Sequence, residues 1–179
     1  MTKDDIIALP NPHLRQPSKR VGLITDEIRQ IISDMKEATI NWDESRSHEV
    51  GVALAAVQID RLYKIVVIRE DYNDKENHKF TVFINPEIVR REGKVEADFE
   101  GCLSVPGFEA TVVRPMHAVV KGLDRNGREH QREGTGLLAR AFQHEMDHLD
   151  GKLFIDHLRG IKRDVIVRRI RKLTRSGKW

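Results

Sequence analysis

The sequence predicts an α+β fold: mixed or antiparallel β-sheets packed around a central helix that carries a His-Glu-x-x-His motif, with an N-terminal helix and a C-terminal amphipathic helix. Three observations predict it. Apolar residues recur at helical spacing near the start, a β-rich stretch fills the middle, and two further helical patterns close the chain. With 179 residues the chain is expected to form one domain, 1–179, long enough to bury a substantial core.

The first segment, "LPNPHLRQPSKRV", holds three prolines and should be an extended or turning arm lying on the domain. A helix follows. Thr25 can cap it, Asp26 and Glu27 favour its first turn, and Ile24, Ile28, Ile31, Met35, Ala38 and Trp42 fall on one face. "DESRSHE" (43–49) reads as a loop. "KIVVI" (64–68) and "FTVFI" (80–84) read as buried strands, and Asn126-Gly127 in "HAVVKGLDRNGREHQ" as a two-residue hairpin turn. A helix is expected from about Gly136, ended by Gly151 as its C′ glycine. The last helix spans roughly 160–175, with Leu158, Ile161, Val165, Ile166, Ile170 and Leu173 as its apolar stripe.

Composition narrows the function classes. No apolar run approaches the roughly 20 residues of a membrane span, and "MTKDDIIALP" lacks the apolar region of a secretory signal, so a cytoplasmic protein is expected. Its one cysteine, Cys102, cannot form an intrachain disulfide, which fits a reducing compartment; a lone Cys is also commonly a small buried hydrophobe. Residues 157–179 hold nine Lys/Arg and one Asp, net +8, which leaves −5 on the first 156 from a total of +3. A mildly acidic body therefore carries a strongly basic tail.

"QHEMDHLDG" (143–151) contains His-Glu-x-x-His. On a helix His144 and His148 lie one turn apart on one face, with Leu137 and Ala141 on the same side. Glu145 is offset by one residue, close enough to touch a water beside a bound metal without ligating it. Leu138, Phe142 and Leu149 cover another side, so this helix should be buried over most of its circumference. The third ligand sets the kind of enzyme. Position 154 is Phe, and after Glu145 the chain contains no Glu. Asp156, His157 and Asp164 remain in or beside the basic tail, and Cys102 of "EGCLSVPG" lies upstream. A thiolate is a strong ligand for zinc or ferrous iron, and two His with one Cys leave a fourth position for water.

Three stretches in this order, "GVALAAVQ" (51–58), "EGCLS" (100–104) and "QHEMDHLDG", give the chain its resemblance to the peptide deformylase family, which extends over essentially the whole sequence. The resemblance implies hydrolysis of the formyl group from the N-terminal formyl-methionine of newly synthesised proteins. It implies one divalent ion on Cys102, His144 and His148, typically ferrous iron with zinc, nickel or cobalt as substitutes. It assigns Glu145 as general base and acid, and Gln58 and the Leu103 N–H as donors to the formyl oxygen. On its own, Gln58 reads as an exposed polar residue at the mouth of a strand; inside "GVALAAVQ" it reads as a functional donor. Gly51, Val52, Ala53, Gly101, Leu137, Arg140 and Ala141 are the expected substrate-binding residues, the first three offering a close backbone edge to a peptide.

Ala53 stands where the family signature has glycine, and ordinary backbone angles are expected there. Arg140 falls on the helix side that should line the methionine pocket. Either it snorkels with its head in solvent, or it pairs with Asp98 at the rim. Glu100 and Arg114 are expected to form a buried pair holding the Cys102 segment, and Ser104 and Gly107 to shape its turn. The tail, through Arg168, Arg169, Arg171, Lys172 and Arg175, is either a solubilising face or a contact for ribosomal RNA. Neither membrane nor DNA is expected as a partner. The rival functions are an internal peptidase using the same residues, and a non-catalytic ribosome-binding module.

Overall fold

The computed structural model describes residues 1–46 and 49–177. In chain order it forms α1 (Asp26–Glu44), β1 (Ala53–Ala55), β2 (Ile65–Arg69), β3 (Phe80–Gly101), β4 (Glu109–Leu123), β5 (Glu129–Thr135), α2 (Leu137–Leu149) and α3 (Gly160–Arg175), with short 3-10 turns between. The five strands make one sheet in the order β1-β2-β3-β4-β5, and every pairing is antiparallel. The α+β expectation holds, in its antiparallel form.

β2 explains why "KIVVI" reads as an unbroken apolar run. Alternate side chains of a strand point to opposite faces. Ile65 and Val67 meet Ile28, Ile31 and Met35 of α1, whereas Val66 and Ile68 meet the cluster that contains Leu138, Phe142 and Leu149 of α2. The sheet is thus covered on both faces. A third cluster joins Leu9 and Leu14 of the N-terminal arm to Val112 on β4, Phe154 and Ile170 of α3.

The predicted caps are present. The Thr25 hydroxyl accepts from the Ile28 N–H at the start of α1. At the end of α2, Gly151 has φ +71°, and the bonds Gly151 N–H to His148 O (3.1 Å) and Lys152 N–H to Asp147 O (2.8 Å) form a Schellman motif. A Cβ at Gly151 would stand 2.6 Å from the Arg15 carbonyl oxygen, so only glycine lets the arm lie this close. Ala53 lies within β1 and is not among the positive-φ residues.

Four expectations need correction. Helix α1 runs on through Asp43 and Glu44, which the expected loop had claimed, because Asp43 is drawn inward by a buried arginine; Ser47 and His48 of that loop lie outside the described residues. The strand beginning at "FTVFI" continues to Gly101, for 22 residues. Its second half is an exposed two-stranded ribbon with β4, interrupted by register shifts, so it lacks the alternation that identifies a strand. The hairpin at Asn126-Gly127 has a three-residue loop, 125–127, closed by Asp124 N–H to Arg128 O at 2.9 Å, with Gly127 at φ +82°. The Asp124 carboxylate fixes that loop by accepting from the N–H groups of Asn126 and Arg128. On α3, Ile170 is buried, but Ile161 and Val165 are 82% and 56% exposed, so only the helix's later turns dock on the domain.

Candidate metal centre

β3 and β4 form one long hairpin, and Cys102 opens the turn at its tip, immediately after Gly101. The Cys102 carbonyl accepts from Val105 N–H (2.9 Å), and Gly107 takes φ +75° to complete the turn. The tip folds against α2. There the Cys102 sulfur and one nitrogen each of His144 and His148 lie within 4.8 Å of one another. Sγ is 3.2 Å from His148 Nε2, and the two imidazole rings stand edge to face at 4.9 Å. A thiolate and two imidazoles converging in a buried setting are a donor set for one divalent ion.

The remaining side chains orient this set. Glu100, the last inward-facing residue of β3, accepts from His144 Nδ1–H at 3.1 Å and so turns Nε2 towards the sulfur. Its carboxylate also takes two bonds from Arg114, Nε–H at 2.5 Å and Nη2–H at 2.9 Å. Burial alone would raise Glu100, but hydrogen bonds from His144 and Arg114 prevail and hold it far below the usual carboxylate range. Arg114 spans onward to Asp147 (2.9 Å), which also accepts from His157 Nε2 (2.7 Å). Asp147, a variable position of the His-Glu-x-x-His motif, was not singled out in the sequence, and His157, weighed there only as a candidate third ligand, enters this network as the partner of Asp147 instead.

Arg140 belongs to the same network, against both expectations for it. It is 3% exposed, so it does not snorkel, and it donates to Glu100 Oε1 (2.8 Å), Val112 O (2.8 Å) and Glu96 O (3.2 Å). Asp98 instead accepts from the Phe99 N–H at the strand surface. Asp98 shares Glu100's side of the pleat but stays exposed, whereas Glu100 is buried with Arg114, and Arg140 reaches it there.

Glu145 is buried beside His144 and lines the cleft; its Oε2 has no hydrogen-bond partner among the described residues. Burial raises its carboxyl to about 7, a value at which it can both accept and release a proton near neutral pH. Burial lowers His144, yet hydrogen bonds to Cys102 and Glu100 outweigh it and raise the imidazole well above its ordinary value. An ion entering here competes with that proton. His148 is pushed well below its ordinary value, first by burial and then by the neighbouring His144 charge.

Gln58 is 1% exposed, not a surface residue at a strand mouth. Its Oε1 accepts from Ala55 N–H (2.9 Å), and its amide nitrogen points at Ser104 Oγ (3.2 Å) and Cys102 Sγ (3.7 Å). Ser104, expected only to shape the turn, therefore orients the Gln58 amide. A cleft of about 730 Å³ opens over this group. Gly51, Val52 and Ala53 line it on one side, Gly101 and Leu103 on another, and Leu137, Arg140 and Ala141 along α2. Trp42, expected on the apolar face of the first helix, and Arg46, expected in a loop, complete the mouth, with the Arg46 guanidinium stacked 4.2 Å over the indole.

An antiparallel α+β fold presenting a Cys/His/His group and a buried glutamate to an open cleft defines the class: a hydrolase built on a helical His-Glu-x-x-His motif with a thiolate donor from elsewhere in the chain. The sequence profile of the polypeptide deformylase family matches residues 3–164. The peptide deformylase of Acidobacterium capsulatum is 40% identical over 97% of this chain and 97% of its own length. That of Xylella fastidiosa is 43% identical over 96% of each chain. The crystal structure of a Legionella pneumophila peptide deformylase superposes with a TM-score of 0.81 at 39% identity, covering 96% of this chain and 95% of that one. The chain belongs to the peptide deformylase family and is an enzyme of that family. Among the described residues no helix is long and apolar enough to cross a membrane.

Proposed function

We propose that the enzyme removes the formyl group from the N-terminal formyl-methionine of nascent proteins, using one divalent ion held by Cys102, His144 and His148. The observation that carries this reading is the convergence of those three donors within 4.8 Å beside the buried, partly unpartnered Glu145. Once bound, the ion supplies Lewis acidity and makes water acidic enough to act as a nucleophile near neutral pH. Ferrous iron is the physiological ion in this reading, with zinc, nickel or cobalt able to replace it.

The chain's own residues do the rest. Glu145 takes a proton from the attacking water and passes it to the leaving amine. The Gln58 amide and the Leu103 N–H donate to the formyl oxygen as negative charge gathers there. Gly51–Ala53 and Gly101 bond the peptide as an added strand, so affinity depends little on residues beyond methionine. Leu137, Ala141 and the stem of Arg140 form the wall against the methionine side chain. A formyl carbon carries only hydrogen, and the crowded space between Gln58 and Cys102 excludes the methyl of an acetyl group.

The test is hydrolysis of formyl-Met-Ala against acetyl-Met-Ala by anaerobically prepared protein, with metal analysis of the same sample. Formate release from the first and no acetate release from the second are expected; cleavage of the internal amide of either peptide would replace this reading by a peptidase. Exposed Arg168, Arg171, Lys172 and Arg175 gather on α3 and suit contact with ribosomal RNA where the substrate emerges.

A further inference from the structure

Arg69, at the end of β2, is 0% exposed, the largest fully buried side chain among the described residues. A guanidinium is buried only where its donors and charge are met. Its Nη2 pairs with Asp43 Oδ2, its Nη1 donates to Asn77 O (2.6 Å), and its Nε donates to Gly51 O (3.2 Å). The backbone N–H of Arg69 donates to Val52 O at 2.8 Å. One residue therefore binds two consecutive carbonyls, Gly51 O through its side chain and Val52 O through its main chain. Asp43 completes the grip from the other side, accepting from Gly51 N–H at 2.5 Å. Gly51 fits because a Cβ there would stand 2.8 Å from Thr39 Cγ2 and 3.2 Å from Asp43 Oδ1.

The ladder between β1 and β2 ends at Ala53↔Ile68. Beyond it, residues 51 and 52 have no paired strand of their own, yet they line the cleft. We propose that the buried Asp43–Arg69 pair is a positioning device that holds Gly51–Ala53 as a rigid edge for the substrate backbone. The pair acts through that edge and touches neither the three metal donors nor Glu145. The inference rests on the deformylase reading for the identity of the substrate. Pre-ordering the edge lowers the entropy lost when a peptide adds to it, so the pair should govern peptide affinity more than the chemical step.

Arg69→Met and Asp43→Asn are assayed as the metal-loaded enzyme with formyl-Met-Ala-Ser, and by inhibition with a peptidyl hydroxamate and with acetohydroxamate. Both variants should raise KM and the peptidyl hydroxamate inhibition constant about tenfold, the equivalent of one well-placed hydrogen bond (about 1.4 kcal/mol). They should change kcat less than about threefold and leave acetohydroxamate, which has no peptide to lay on the edge, unaffected. Unchanged KM, or acetohydroxamate inhibition weakening in step with KM, would overturn the proposal. Asp43→Asn keeps the acceptor for Gly51 N–H, so it decides the matter by the same readouts if Arg69→Met does not fold. If the wild-type enzyme releases no formate, the deformylase reading fails by itself, and the contrast between the two hydroxamates still decides the role of the pair.

Discussion

Replacing Arg140 by leucine should destabilise the protein by about 3 kcal/mol, and the figure can be assembled from its contacts. Arg140 gives Glu100 a charge-assisted bond at 2.8 Å, and it is the donor to the buried Val112 carbonyl at the same distance. The first is worth about 1.5–3 kcal/mol, and leaving the second without a donor costs about 1–3 kcal/mol. Leucine retains part of the apolar stem contact, which offsets about 1 kcal/mol. The balance agrees with the roughly 3–5 kcal/mol found when one member of a buried ion pair is removed. For a chain of this size that lowers Tm by about 6–12 °C. Thermal unfolding of the metal-free protein, monitored by circular dichroism, measures it without interference from metal affinity. Glu100→Gln in the same background completes a double-mutant cycle, where a coupling of about 1 kcal/mol or more is expected. A Tm fall under about 2 °C, or additive effects in the cycle, would refute the view that Arg140 is a buried partner of Glu100.

Glu145→Gln should retain its full metal complement by elemental analysis while formate release falls about 10²–10⁴-fold, the usual contribution of a general base; undiminished turnover would remove Glu145 from the mechanism. Gly151→Ala forces a side chain into φ +71° and against the Arg15 carbonyl, so urea unfolding should show a loss of more than about 1–2 kcal/mol, the left-handed penalty alone. Removing residues 160–179 should abolish co-sedimentation with ribosomes at low salt; a truncated chain that still sediments would leave the basic helix as a solubilising face.

What could be read from the sequence followed the range of the interactions concerned. Thr25, Gly151 and the two imidazoles of α2 act over one helical turn, so their spacing alone was informative. Cys102 was one of several remaining donors until the resemblance to the deformylase family pointed to it, and the structure brings it to His144 and His148. Arg140 was misjudged because its partners are supplied by β3 and β4, some 28 to 44 positions away in the chain, and no local pattern distinguishes a satisfied buried guanidinium from a solvated one. Asp43 and Arg69 escaped notice for the same reason, 26 residues apart and each unremarkable beside its neighbours. The outer half of β3 was missed because exposed ribbon residues such as Arg90, Arg91 and Lys94 bury nothing, and burial is what writes periodicity into a strand.

The hairpin that delivers the thiol imposes a rule of parity on descent. Between Val95 and Gly101, where β3 pairs with β4 without a register shift, Glu100 faces His144 only while the pleat phase of that stretch is kept. Losing a single residue from the arm would turn Phe99 towards the imidazoles and Glu100 out to water. Length changes compatible with a working enzyme should therefore come as twos, matched on both arms, or be absorbed at the irregular positions around Gly93 where the register already slips.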